Sequence, residues 1–314
     1  LRAAALDTLA VAKRFGGKTA LHDLTMSVGR GEAFGFLGPN GAGKTTAVKI
    51  FLGLMRPTSG ACEVLGAPLG DREARRKIGY LPELFRYQGW LTSAEVLGLH
   101  ADLLGLPRAG RAVTIADTLE LVGLGARAGD RVETYSKGMQ QRLGLGVALL
   151  GEPDLVFLDE PTSALDPVGR NDVRVIVESL KARGATVFLN SHLLTEVERV
   201  CDRVAVVDKG RVVASGSIDE MLGASTSVRV HLTEVDAGTL ATLRAFGKLE
   251  IDAPWFAVSG IGDDAVPELV RRLVAGGASV HAVEPSRATL EERFLQLLKV
   301  PDAAVIDDRV SHPA

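Results

Sequence analysis

Apolar positions along the chain follow two rhythms. Short, mostly apolar runs bounded by Gly, Pro or a charge lie at Leu1–Val11, Ala33–Leu37, Ala61–Leu65, Ile78–Leu81, Leu155–Leu158, Ala185–Leu189, Arg203–Val207 and Arg211–Ala214. Their length and boundaries predict strands. Elsewhere apolar side chains recur at helical spacing. From Lys44 onward, Val48, Phe51, Leu52 and Met55 mark a helix that Pro57 stops, and further helices are predicted at Ala112–Val122, Gly138–Leu150, Val168–Arg183 and Leu193–Val200. Thr92 or Ser93 can cap a helix with Glu95 and Val96 in its first turn, and the basic stretch Arg72–Lys77 reads as a solvated helix face. Strands alternating with helices on this scale predict a largely parallel sheet covered on both faces, interrupted by a mostly helical stretch at about 92–150.

The pattern breaks at a small, polar segment, Gly223–Ser227. Beyond it the order is strand (Val228–Leu232), helix (Ala237–Phe246), strand (Lys248–Ile251), strand (Phe256–Val258), helix (Ala265–Ala275) and strand (Ser279–Val283). A last helix follows at Ala288–Leu298. This βαββαβ order predicts a small ferredoxin-like α+β domain. The chain therefore divides into an α/β domain at 1–222, a C-terminal α+β accessory domain at 223–300 and a tail at 301–314. In the accessory domain Trp255 beside Phe256 reads as core, and His231 and His281 as structural residues.

Composition narrows the class. With 314 residues, 46% hydrophobic and 24% charged, two globular domains are expected. The longest stretch free of Asp, Glu, Lys and Arg is Gly184–Thr195, twelve residues, against the roughly 18 of a membrane-spanning helix. Leu1–Val11 carries Asp7 and no small-residue cleavage pattern, so it reads as a first strand rather than a leader, which predicts a cytoplasmic chain. A net charge of −3 sets up no field that draws the chain to nucleic acid or anionic lipid. Cys62 and Cys201 are too few for a disulfide framework and lack metal-ligand spacing; buried free thiols are expected.

The chemistry begins at Gly38–Thr46, Gly-Pro-Asn-Gly-Ala-Gly-Lys-Thr-Thr, which satisfies G-x-x-x-x-G-K-[ST] between a predicted strand and a predicted helix. At this composition an accidental match arises roughly once in a hundred such chains, before the strand–loop–helix context is required. A triphosphate needs backbone N–H groups wrapped closely around it, and glycines at 38, 41 and 43 remove side chains that would block that approach. Asn40 sits within the loop, and the helix beginning near Lys44 adds the positive end of its dipole. Lys44 can reach the β- and γ-phosphates, Thr45 closes the pattern and can offer a hydroxyl to Mg²⁺, and Thr46 follows it as a further candidate nucleotide-binding residue. A Mg-nucleotide site also needs an acidic residue at the end of a neighbouring buried strand. Leu155-Val156-Phe157-Leu158-Asp159-Glu160 supplies it: Asp159 to support Mg²⁺ through its water shell, Glu160 as general base for an attacking water.

With these motifs in order, the chain resembles the nucleotide-binding subunit of ABC transporters over about residues 6–222. Tyr135-Ser136-Lys137-Gly138-Met139-Gln140-Gln141-Arg142 is similar to the family signature Leu-Ser-Gly-Gly-Gln. Ser163-Ala164-Leu165-Asp166 looks like the D-loop, Asn190-Ser191-His192 like the switch histidine, and Ile78-Gly79-Tyr80-Leu81-Pro82-Glu83 like the Q-loop. Phe15 sits where these proteins place an aromatic that stacks on adenine. The 92 residues from Lys44 to Ser136 match a transporter-type helical insertion and leave no room for a long coiled coil. A subgroup of separately encoded drug- and antibiotic-exporting ATPases is similar in the Q-loop and in the ending Ala288-Thr289-Leu290-Glu291-Glu292-Arg293-Phe294.

The resemblance implies an ATPase with ATP and Mg²⁺ as cofactors and an ATP-sandwich homodimer, in which Ser136 and Gly138 of one copy meet the γ-phosphate held by the other. It implies that His192 contacts the γ-phosphate. It also implies integral membrane permease subunits as partners, no nucleic acid, and a place on the inner face of the cell membrane through the permease. Trp90 and Leu91, after Glu83, fall where the family lines the groove that receives the permease. Two departures stand out. Lys137 and Met139 replace a Gly and the Gln of the signature, and Glu83 replaces the Q-loop Gln, offering Mg²⁺ a carboxylate instead of an amide. The alternatives are a soluble ABC ATPase of the ribosome or DNA repair, which tandem cassettes or a coiled-coil insertion would mark, and an ATP-sensing regulatory module.

Overall fold

The computed structural model describes residues 4–222, 226–287 and 289–298. The chain divides into two compact units, Leu1–Ser217 and Ile218–Ala314. The predicted tail at 301–314 lies outside the described residues.

The first unit opens with two long strands, β1 (Ala4–Phe15) and β2 (Lys18–Gly29), which form an antiparallel hairpin. With β4 (Ser59–Val64) and β5 (Ala67–Pro68) they make a four-stranded sheet in the order β2-β1-β4-β5. Between them in the chain come β3 (Ala33–Leu37) and α1 (Lys44–Phe51). Next follow α2 (Arg72–Arg76), β6 (Ile78–Leu81), α3 (Ser93–Leu104), α4 (Arg111–Leu121) and α5 (Lys137–Leu149). The unit closes with β7 (Leu155–Asp159), α6 (Pro167–Ala182), β8 (Thr186–Asn190), α7 (Leu194–Val200), β9 (Arg203–Asp208) and β10 (Arg211–Ser217).

A six-stranded sheet, β10-β9-β3-β8-β7-β6, is parallel throughout except for β10. Every residue of β3, β7 and β8 is buried, as expected for parallel strands covered on both faces. Phe36, Phe51, Phe157 and Phe188 pack together on one face, with Phe188 5.2 Å from Phe36 and 5.1 Å from Phe157 between ring centroids. Phe51 of α1 completes the cluster, 5.8 Å from Phe188. These rings seat α1 on the sheet directly below the loop where it starts.

Helix α3 begins at Thr92 with a full capping box: the Thr92 hydroxyl accepts from the Glu95 N–H, and the Glu95 carboxylate accepts from the Thr92 N–H at 2.7 Å. Helix α1 is shorter than its apolar spacing predicts. It ends at Phe51, because Gly53 turns the backbone into the left-handed region (φ 68), and the N–H groups of Leu54 and Met55 both fold back onto the Lys49 carbonyl, at 2.9 and 3.1 Å. Cys62 and Cys201 are both buried and free, and burial pushes the Cys62 thiol up to about 12.

The second unit starts with α8 (Ile218–Leu222) and β11 (Thr226–Thr233). Then come α9 (Ala237–Phe246), β12 (Lys248–Asp252), β13 (Trp255–Ser259), α10 (Val266–Ala275), β14 (Ser279–Arg287) and α11 (Leu290–Leu297). Its sheet, β12-β13-β11-β14, is wholly antiparallel, the strand order of a ferredoxin-like βαββαβ unit. Val228, Val230, Phe256 and Val258 form its core with Leu243, Leu269 and Leu273 of the helices. Trp255 is not in that core. It lies on the opposite face, half-buried, stacked 5.1 Å from His231 with the Arg229 guanidinium 4.9 Å from its ring. Strand alternation explains the correction: Phe256 takes the inward position, so its neighbour must face out.

Candidate active site

The loop Gly38–Gly43 joins the carboxyl end of β3 to α1, and its three glycines differ in what surrounds them. A Cβ on Gly38 would stand 2.2 Å from the Val207 carbonyl oxygen of β9, and one on Gly43 2.6 Å from the Ala20 carbonyl oxygen of β2. Gly43 also holds φ at 101, which side chains resist. These two glycines thus let the chain's own backbone close around the loop. Gly41, at φ 81 with nothing within 4 Å, is the one whose missing side chain leaves open space. The floor is tied by Gly210, whose N–H donates to the Ala42 carbonyl at 2.8 Å and whose carbonyl accepts from the His22 N–H at 2.8 Å.

Lys44 is the first residue of α1. Its Nζ donates to the Gly38 and Pro39 carbonyls at 2.6 and 3.2 Å, so the ammonium is held inside the curve of the loop. Burial lowers its pKa, while the charges of Glu160, Asp159 and Glu83 act the other way. Three carboxylates therefore face this one cation. Thr45 is exposed and Thr46 half-buried in the first turn, and Asn40 is exposed at the loop's crest.

Parallel pairing brings those carboxylates together. Leu81 stands opposite Leu158, and Asp159 opposite Asn190, so the carboxyl ends of β6, β7 and β8 align. Asp159 is 4% exposed and accepts from Asn190 Nδ2 at 2.6 Å. Burial raises its pKa, opposed by that hydrogen bond and by the Lys44 charge. Glu160 takes a left-handed backbone, φ 52, which costs about 1–3 kcal/mol in a non-glycine residue. Its N–H donates to the Asn190 carbonyl at 2.8 Å. Its carboxylate accepts from the His192 N–H at 3.0 Å and lies 2.7 Å from His192 Nδ1. The Glu160 side chain is mostly buried and the His192 ring mostly exposed. Glu83 is exposed just beyond β6.

Gln141 sits in the motif already singled out, yet its role was not legible there. It is buried on α5, and its Nε2 donates to the carbonyls of Glu160 and Pro161 at 3.3 and 3.1 Å. Asn190 was equally silent in the sequence. An amide closing an apolar strand is the only signal that could have marked it.

Ser136 caps α5, its hydroxyl accepting from the Met139 N–H at 3.2 Å, and both Ser136 and Lys137 are exposed. Gly138 lies near Leu165 and Ala164. A Cβ there would make only ordinary contact, 3.5 Å from Leu165 Cδ2, so nothing within the chain demands a glycine. Phe15 ends β1 and is 48% exposed, with Lys13 Nζ 5.2 Å from its ring, on the hairpin whose β2 arm backs Gly43. Leu84 and Trp90, in the segment after Glu83, are 87% and 69% exposed. A groove of about 780 Å³, lined by Leu106, Arg111, Thr118, Glu152 and Arg183 among others, lies elsewhere, and none of these site residues borders it.

Among the described residues no group of three or more His, Cys, Asp or Glu could hold a metal alone. Oxygen donors such as Thr45 and Asp159 suit Mg²⁺ that arrives with phosphate oxygens.

A lysine-bearing glycine loop at a helix start, with an Asp-Glu pair at the carboxyl end of β7 in the same sheet, defines a P-loop nucleoside triphosphatase. The ABC transporter family model matches residues 21–163. An ABC transporter ATP-binding protein of Nostoc sp., itself uncharacterized, is 41% identical over 288 residues, 91% of this chain and 85% of that protein. The daunorubicin resistance ATP-binding protein of Streptomyces coeruleorubidus is 38% identical, covering 91% of this chain and 93% of the relative. The linearmycin resistance ATP-binding protein of Bacillus subtilis is 32% identical, covering 91% and 96%. A solved structure of an ATP-binding subunit of an ABC transporter is 34% identical, with a TM-score of 0.65 over 69% of this chain and 91% of that one. The chain belongs to the ATP-binding subunits of ABC transporters and is an ATPase.

Proposed function

We propose that this ATPase powers export of a substrate through a separate membrane permease, and that two copies close around two ATP molecules to do so. The observation that carries the reading is the outward-facing start of α5. Ser136 is exposed at its N-cap, Gly138 has no steric reason to be glycine within the chain, and a helix N-terminus favours phosphate. Both features are accounted for if a second copy presents its nucleotide there.

In this reading Lys44 exchanges the Gly38 and Pro39 carbonyls for the β- and γ-phosphates, and the N–H groups of Asn40–Thr46 wrap the triphosphate. Phe15 stacks on the adenine. Thr45 and Asp159 hold Mg²⁺, with Glu83 as a further carboxylate, and the ion neutralises phosphate charge when bound. Glu160 takes the proton of the attacking water. His192 orients that carboxylate through its backbone N–H and Nδ1, and with both ring nitrogens protonated its Nε2–H is left to donate to the γ-phosphate. No helix among the described residues is long and apolar enough to cross a membrane, so the cargo's path is assigned to a partner. Exposed Leu84 and Trp90 suit an apolar docking face for it. The drug-resistance relatives support export, and the reading places the chain on the inner face of the membrane.

Gly138→Ala separates fold from function. Alanine loses less backbone freedom than glycine on entering a helix, and the added methyl has room in the single chain. The melting temperature is expected to hold or rise, while ATP turnover falls at least tenfold. Wild-type turnover in this variant would remove Gly138 from the phosphate contact.

A further inference from the structure

Asn190 closes β8 and is 4% exposed. In the parallel ladder it stands between Asp159 of β7 and Phe36 of β3, the strand that feeds the phosphate loop. It touches both acidic residues of the site, by different atoms. Its Nδ2 donates to Asp159 Oδ1 at 2.6 Å, and its backbone carbonyl accepts from the Glu160 N–H at 2.8 Å.

Strand alternation puts the Asn190 side chain on the same face as Phe188, whose ring packs against Phe51 of α1. That is the face on which α1 starts at the phosphate loop. The remaining polar atom, Asn190 Oδ1, is buried with no partner among the described residues. Leaving a buried acceptor unpaired costs about 1–3 kcal/mol. The amide thus spends its donor on Asp159 and leaves its acceptor idle, so the contact it is placed to make is the one to that carboxylate.

We propose that Asn190 is a positioning residue: its Nδ2–H fixes one oxygen of Asp159 and so sets the direction of the other before nucleotide and Mg²⁺ bind. This rests on the reading of Asp159 as a Mg²⁺-supporting residue. A residue that only orients such a carboxylate changes metal affinity without touching the nucleotide, typically by about 10- to 100-fold.

The test is calorimetric titration of the full chain with the β,γ-imido analogue of ATP, with and without Mg²⁺. The readout is the gain in affinity that Mg²⁺ brings. In Asn190→Leu that gain is expected to shrink about tenfold or more, while metal-free affinity stays within about twofold of wild type. Asp159→Asn is expected to lose the gain as well, and the double variant to lose no more than Asp159→Asn alone, since both changes remove one effect. If Asn190→Leu does not fold, Asn190→Ala decides the same comparison. An intact gain in Asp159→Asn overturns the reading of Asp159. A lost gain there with an intact gain in Asn190→Leu, or losses that multiply in the double variant, overturns the role of Asn190 alone.

Discussion

Replacing Glu160 by Gln is expected to lower ATP turnover by about 10²–10⁴-fold, the range typical of a removed general base, with nucleotide affinity kept. The amide preserves the size of the side chain but cannot take a proton from water. The geometry makes the substitution specific. The Glu160 backbone is pinned in the left-handed region by its bond to the Asn190 carbonyl, and Gln141 and Ser163 donate to the Glu160 carbonyl at 3.3 and 3.1 Å. None of these contacts uses the carboxylate, so the loop is expected to keep its shape in the variant. Only the two contacts from His192 change, and the backbone N–H of His192 can still donate to a Gln oxygen. Steady-state phosphate release measures the effect, and turnover within threefold of wild type would remove Glu160 from the base role.

Lys44→Ala is expected to act one step earlier, on binding. The Lys44 ammonium is the only cation held inside the loop by its own carbonyls among the described residues. A hydrogen bond to a charged group contributes about 1.5–3 kcal/mol, which corresponds to roughly 10- to 100-fold in affinity. Removing the ammonium also leaves Asp159, Glu160 and Glu83 facing a triphosphate without it, which adds repulsion. Calorimetry with ATP and Mg²⁺ is expected to show the loss, with the melting temperature little changed because Lys44 is only half-buried. Wild-type affinity in Lys44→Ala would contradict the phosphate-loop reading.

Much of this site could be read from the sequence because its signals are local. The loop 38–46, the Asp-Glu pair after an apolar run and the signature-like run 135–142 each lie within a few residues. So do the buried strands Ala33–Leu37 and Leu155–Asp159. What stayed hidden depends on residues that meet only in the fold. The Val207 and Ala20 carbonyls that demand Gly38 and Gly43 come from β9 and β2, far away in the chain. Gln141 and Asn190 act through backbone and carboxylate partners that no spacing rule connects. Strand β2 went unrecognised because Asp23, at φ 49, bulges the hairpin and resets the alternation between Leu21 and Leu24. Trp255 misled for a different reason: one face of the second unit's sheet is not covered by its helices, and an aromatic there packs on His231 and Arg229 instead of entering the core.

The central claim is that the reaction centre is divided between two copies, with Lys44 and Glu160 in one and Ser136 and Gly138 in the other. The most direct measurement is the solution mass of the Glu160→Gln chain at saturating nucleotide, by sedimentation or light scattering. With ATP and Mg²⁺ the mass is predicted to double from the 33.2 kDa of one chain, and with ADP to remain at that value. A single-chain mass with ATP demonstrably bound would contradict the claim.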